Sequence, residues 1–323
     1  MARNARLVFS QPGAFRLYTA AELLALPPPT FLIERVLPEG GFSVLYGASG
    51  TFKTFVALDM ALCVATGRPW HGHAVQQGFV IYISAEGGRG ISRRVAAWLE
   101  GNGLTLADLG FQIGFVLEAI SIHDDSDVIQ IIRDRIEEVD ALPALVVVDT
   151  LARCLQGDEN AQEDMGRFIR GLDRLREACG ATFLVVHHTS LGDRERGSTA
   201  LRAGSEAMLK VSREDRIITL ENNKQKDAPE SPAILLRLAV STHTESAYVV
   251  HETVQGEDDM LRLQDLLDQH GPLAYSQWLQ VSQMPKIRFN RARLRLVESG
   301  QILKENDKYA LLGSLGRIAH EPT

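Results

Sequence analysis

Apolar positions along this chain come in two rhythms. Short runs that are continuous or nearly so, Phe42–Tyr46, Phe79–Ile83, Ala144–Val148 and Ala181–Val186, read as strands buried on both faces. Between them, Phe55–Ala65, Ile91–Leu99, Ser126–Val139 and Met165–Cys179 carry apolar residues at helical spacing, and Gly180 stops the last of these. Phe111–Leu117 reads as one more strand. Alternation of this kind predicts an α/β fold with a mostly parallel sheet. Past the last run the rhythm changes. Met208–Val211 and Arg216–Leu220 read as strands joined by a polar turn at residues 212–215, and Ile234–Val240 as another.

The two ends differ from this core, assigned to residues 31–250. Residues 1–30 hold the triplet Pro27–Pro29, which cannot continue a helix, and Thr19 with Glu22 fits a capping box for a short helix. This stretch is expected to be an arm and linker, docked either on its own domain or on a neighbouring subunit. Residues 258–315 give helices around Met260–Leu267, Tyr275–Val281 and Pro285–Ser299, then a hairpin around residues 305–308. Three helices and a hairpin are similar to a winged-helix domain.

The strand Phe42–Tyr46 runs into Gly47, Ala48, Ser49, Gly50, Thr51, Phe52, Lys53 and Thr54, and then into a helix. Strand, glycine loop and helix in that order make a phosphate cradle. Loop amides and the helix N-terminus face the polyphosphate, Lys53 reaches its terminal oxygens, and the Thr54 hydroxyl can hold Mg²⁺. Phe52 stands where the G-x-x-x-x-G-K-[ST] pattern has its second glycine.

Other strand ends carry matching chemistry. Glu86 follows the strand Phe79–Ile83 and is the candidate general base for an attacking water. Asp149 ends Ala144–Val148 and is the candidate Mg²⁺ carboxylate, with Thr150 beside it. His187 and His188 end Ala181–Val186, where a polar side chain can sense the γ-phosphate. The loop that follows is polar, and Arg153, Arg194, Arg196 and Arg202 are candidates for a nucleic-acid backbone. Lys224 and Lys226 are read as a tip able to enter an adjacent subunit's site. In the C-terminal segment, Lys286, Arg288, Arg291 and Arg293 share one helix, where a DNA-reading module would carry them; a protein contact is the competing use. His71 and His73 lack a nearby third ligand and read as a loop, not a metal site.

Composition narrows the classes. The net charge of −7 speaks against bulk positive attraction to nucleic acid, but it is uneven: residues 271–323 hold eight Lys/Arg against four Asp/Glu. The three cysteines, Cys63, Cys154 and Cys179, are widely spaced in apolar surroundings and read as buried thiols of a reducing compartment. No apolar run approaches the roughly 18 residues of a membrane span, so a cytoplasmic protein is expected.

Taken together, Gly47–Thr54, Ile83–Gly87, Val147–Arg153, Val186–Thr189, Arg196–Leu201 and Lys224–Asp227 resemble the RecA-like hexameric ATPases, most closely the RepA family of plasmid and phage replicative helicases. The resemblance implies a ring of RecA-like cores, with ATP and Mg²⁺ between subunits. Glu86 would activate water, Asp149 serve Mg²⁺, and His188 sense the γ-phosphate. It also implies loops after Asp149 and His188 that grip single-stranded DNA, with Arg196, Lys224 or Lys226 acting across the subunit boundary. The C-terminal segment would recruit a replication partner. A recombination mediator, or a regulatory or defence switch that binds protein, is the alternative. A small-molecule kinase fits less well, because no lid of clustered arginines is visible.

Overall fold

The computed structural model describes residues 17–86, 88–123, 130, 132, 134, 141–189, 199–226, 232–252, 257–305 and 307–312. The chain divides into two compact units, Met1–His251 and Glu252–Thr323.

The first unit opens with α1 (Ala20–Leu24), whose Thr19 and Glu22 form the expected capping box and none of whose residues is buried. A small pair, β1 (Phe31–Ile33) and β2 (Leu37–Pro38), precedes the main sheet. In chain order the rest are β3 (Phe42–Gly47), α2 (Lys53–Thr66), β4 (Phe79–Ser84), α3 (Gly88–Gly101), α4 (Leu106–Leu109), β5 (Ile113–Val116) and β6 (Pro143–Asp149). Then come α5 (Leu151–Cys154), α6 (Gln162–Cys179), β7 (Thr182–His188), α7 (Thr199–Gly204), β8 (Ala207–Glu214), β9 (Ile217–Gln225), β10 (Ile234–Val240) and β11 (Ala247–His251).

Nine strands form one sheet in the order β11-β10-β9-β8-β3-β7-β6-β4-β5. From β5 to β8 all neighbours are parallel; β8 to β11 form an antiparallel meander. The buried strands divide their side chains by the two-residue period. Leu45, Tyr82, Val147 and Val186 face the core beneath α2 and α3, whereas Val44, Ile83, Val148 and Val185 face the one beneath α6. Because the inner strands are parallel and in register, Gly47 lies beside His188, and Ser84 beside Asp149, at one sheet edge.

Two expectations need correcting. β8 and β9 are longer than the apolar pattern indicated, pairing as far as Glu214 and Ile217, so the turn is confined to Asp215 and Arg216. Lys224 is not on a tip: it lies within β9 opposite Met208, because the polar run 221–225 is held by pairing with β8. β11 was not foreseen. The expected helix over 126–139 lies largely outside the described residues, and so does the expected polar loop at 190–199 except for Thr199, which opens α7.

The second unit holds α8 (Glu257–His270), β12 (Leu273–Ala274), α9 (Tyr275–Ser282), α10 (Lys286–Glu298), β13 (Ile302–Glu305) and β14 (Lys308–Leu311). Its three strands are ordered β12-β14-β13. Trp278 and Phe289, both fully buried, centre its separate core with Leu263, Leu296 and Tyr309.

α2 contains one acid inside an otherwise apolar surface. Asp59 is 4% exposed and accepts hydrogen bonds from the indoles of Trp70 (2.7 Å) and Trp98 (2.6 Å), while His71 Nε2 lies 2.8 Å from the same carboxylate. This ties α2 to α3 and to the turn at residues 70–73. His73 in turn contacts the Glu34 carbonyl, so the two histidines serve the packing of the loop. Asp59→Ala would leave two buried indole donors unpaired at about 1–3 kcal/mol each, and is expected to lower the melting temperature by roughly 4–24 °C in calorimetry.

Candidate nucleotide site

The phosphate loop leaves β3 and enters α2 at Lys53. Gly47 has no alternative: a Cβ there would come 2.1 Å from the Val211 carbonyl oxygen of β8. Thr51 closes the loop by donating to the Ala48 carbonyl (2.9 Å). Lys53 is 3% exposed, and its ammonium donates to the carbonyls of Gly47 (2.8 Å) and Ala48 (2.7 Å). Among the described residues no carboxylate lies within ion-pair distance of it. Burial lowers its pKa to about 8, against the opposing attraction of Asp149 and Glu86. A desolvated cation held only by carbonyl dipoles is matched by a polyphosphate.

Asp149, 3% exposed, ends β6 beside it. Its two oxygens take separate partners: the Thr54 hydroxyl at 3.3 Å and the Tyr82 hydroxyl at 2.7 Å. Burial pushes the carboxyl above its usual range, and these hydrogen bonds pull it back. Hydroxyl and carboxylate oxygens are the hard donors Mg²⁺ prefers, so Thr54 and Asp149 fit that ion. No cluster of three or more His, Cys, Asp or Glu suited to a metal occurs among the described residues.

Glu86 is exposed at the end of β4 and is held from two sides. The Thr150 hydroxyl donates to its Oε1 (2.7 Å), and His188 Nε2 lies 3.7 Å from its Oε2. Burial, and next the Lys53 charge, lower the His188 pKa, which favours the neutral ring. The Asp149–Thr150 peptide is cis. Four strand ends, those of β3, β4, β6 and β7, thus bring Lys53, Thr54, Glu86, Asp149 and His188 to one place. His187 is buried within the sheet instead.

A family model described as an AAA domain matches residues 12–193. The chain belongs to the AAA domain family. The match covers more than half of the chain and contains every residue of this cluster, which makes the first unit a P-loop ATPase domain whose sheet fits a RecA-like core. A search of curated proteins found no match. Among the described residues no helix is long and apolar enough to cross a membrane. Cys63, Cys154 and Cys179 are buried free thiols, and burial raises each of them.

The basic candidates are spread out. Arg153 is exposed on α5, just after Asp149, and Arg202 is exposed on α7, with its guanidinium on the Asn223 carbonyl (3.3 Å). Lys224 Nζ donates to the carbonyls of Arg202 and Ser205, and Lys226 pairs with Glu206 at 3.0 Å. Arg194 and Arg196 lie outside the described residues. In the second unit Arg288 makes a two-point contact with buried Asp259, and Arg293 donates to the Tyr309 hydroxyl (2.8 Å). Lys286 is exposed; the Arg291 side chain is not among those described.

Two groups of the AAA domain's site escaped the sequence reading. Tyr82 lies within an apolar strand, and its only signal was a buried phenol in need of a partner. Thr150 was noted beside Asp149, but not as the group that holds Glu86.

Because the free Lys53 titrates near pH 8 and an anion favours its charged form, nucleotide binding is expected to take up protons there. Uptake should reach about half a proton at pH 8, and affinity should fall as pH rises towards 10. Calorimetric titration in buffers of different ionisation enthalpy checks this. Lys53→Arg, which stays charged, should abolish the uptake.

Proposed function

We propose that this AAA domain is the motor of a ring-forming, RepA-like helicase that hydrolyses ATP to move on single-stranded DNA. The observation that carries the reading is the double hold on Glu86. One oxygen is tied to Thr150 at the end of β6, and the other faces His188 at the end of β7. A carboxylate that takes the proton of an attacking water would therefore transmit the event to both strand ends. Arg153 and the segment with Arg194 and Arg196 follow those ends and would grip DNA phosphates. Subunits arranged as a hexamer would place ATP at their boundary, with Arg196 or Lys226 reaching across.

In the reaction Lys53 binds the terminal phosphates and Glu86 orients and deprotonates water. His188, kept neutral, accepts or donates a hydrogen bond to Glu86 as the γ-phosphate departs. Mg²⁺ held by Thr54 and Asp149 would neutralise the phosphate charge when bound. Tyr82 keeps the second Asp149 oxygen occupied and the carboxylate in one orientation.

A protein-binding switch is the second reading, and one observation favours it. The helix, strand and hairpin order of the second unit supports a winged helix. However, Arg288 and Arg293 on α10 are engaged within the unit, while Leu294, Val297 and Leu303 are exposed. That surface suits a protein partner better than DNA.

Steady-state ATP hydrolysis with and without single-stranded DNA, using Lys53→Ala as the blank, separates the readings. Strong stimulation is expected for a motor; turnover indifferent to DNA supports the switch. Glu86→Gln should bind ATP normally and lose turnover by about 10²–10⁴-fold. Undiminished turnover in Lys53→Ala would remove the phosphate-loop assignment.

A further inference from the structure

Phe52 is where the phosphate loop departs from its glycine pattern, and nothing in the proposed motor gives it a task. Its backbone is left-handed (φ 68°), a conformation open to glycine and taken by a phenylalanine only when its surroundings hold it there. Those surroundings are specific. The ring meets Phe55 edge-on, with centroids 5.9 Å apart, and the Arg213 guanidinium lies over it, 4.4 Å from the centroid.

Arg213 is fixed from two further sides. Its Nε donates to the Asp215 carbonyl (2.8 Å) and its Nη1 to the Gly50 carbonyl of the phosphate loop (3.5 Å). β8 delivers it there by running beside β3 and on past Gly47, whose contact with Val211 leaves no room for a side chain. The residue is exposed, and among the described residues it forms no carboxylate ion pair. At Gly50 nothing lies within 4 Å of where a side chain would begin, so the loop apex beside the guanidinium is open.

We propose that Arg213 binds the nucleotide's polyphosphate within the same subunit, and that Phe52 is the shelf that positions it. The inference deepens the nucleotide-site reading and rests on it. The chemistry favours phosphate over the nucleoside. A guanidinium presents a planar fork of donors that matches phosphate oxygens, and stacking on a ring leaves the edges of that fork free. Lys53 lies on the same loop, so the two cations act on one anion.

Equilibrium binding of ATP and of inorganic tripolyphosphate to the full chain, with the melting temperature of each variant, tests this. Arg213→Ala is expected to weaken both ligands about tenfold without lowering the melting temperature. Phe52→Gly, which suits the left-handed backbone, should keep or raise the melting temperature and still weaken both ligands. The double variant should bind no more weakly than Arg213→Ala alone, because Phe52 acts through Arg213. Unchanged tripolyphosphate affinity in Arg213→Ala overturns the proposal; loss for ATP alone would assign Arg213 to the nucleoside. Additive losses would refute the shelf. Wild-type protein that binds neither ligand, like Lys53→Ala, would instead mean that the nucleotide-site reading had failed.

Discussion

Two charges buried at one sheet edge without a direct pair between them set the terms for the rest of the first unit. Lys53 and Asp149 are each 3% exposed, and burial works against the charged form of both. Each is compensated by neutral groups: loop carbonyls for the ammonium, Thr54 and Tyr82 hydroxyls for the carboxylate. Had they been joined in a salt bridge, each would have satisfied the other and lost interest in a ligand. Separated, they leave a positive and a negative centre that a phosphate and a divalent cation complete together. The parallel register of β3, β7, β6 and β4 holds them at that spacing, so the sheet is part of the site's electrostatics.

Much of this was legible because buried parallel strands are continuous apolar runs and the residue that ends such a run has to be polar for a reason. That logic found Glu86, Asp149 and His188, and the loop pattern found Lys53 and Thr54. It failed where a polar residue sat inside an apolar element. Tyr82 within β4 and Asp59 within α2 were passed over as core, yet a buried hydroxyl or carboxylate must have partners, and those partners are what join α2 to α3 and β4 to β6. Lys224 was misjudged for the opposite reason. A run of polar residues reads as a loop until a neighbouring strand supplies the backbone pairing, and such pairing is set by tertiary context rather than local propensity.

The basic helix of the second unit shows the limit of charge counting. Lys286, Arg288, Arg291 and Arg293 read as one positive face, but a count cannot distinguish a solvated guanidinium from one that is already used. Buried Asp259 needs a cation, and Arg288 supplies it; the Tyr309 and Tyr275 rings draw Arg293 across them. Breaking the Arg288 pair would strand a buried carboxylate, so that arginine is held within its unit. The positive charge left for a ligand is smaller than the sequence indicates.

The phosphate loop presents the converse case, an arginine distant in sequence that the fold brings to the nucleotide. A phenylalanine in a left-handed backbone costs about 1–2 kcal/mol relative to its relaxed state, and a glycine would remove that cost. An exposed cation–π contact returns about 0.5–1 kcal/mol, so packing of Arg213 on Phe52 does not by itself justify the residue. The edge-on contact with Phe55 and the packing of Phe52 against the core supply the rest. The hairpin of β8 and β9 begins at Ala207 beside Ser43, passes Arg213 and returns as β9 to Lys224, beside α7. Arg213 and Lys224 therefore sit at opposite ends of one pair of strands, the first against the phosphate loop and the second against the end of α7.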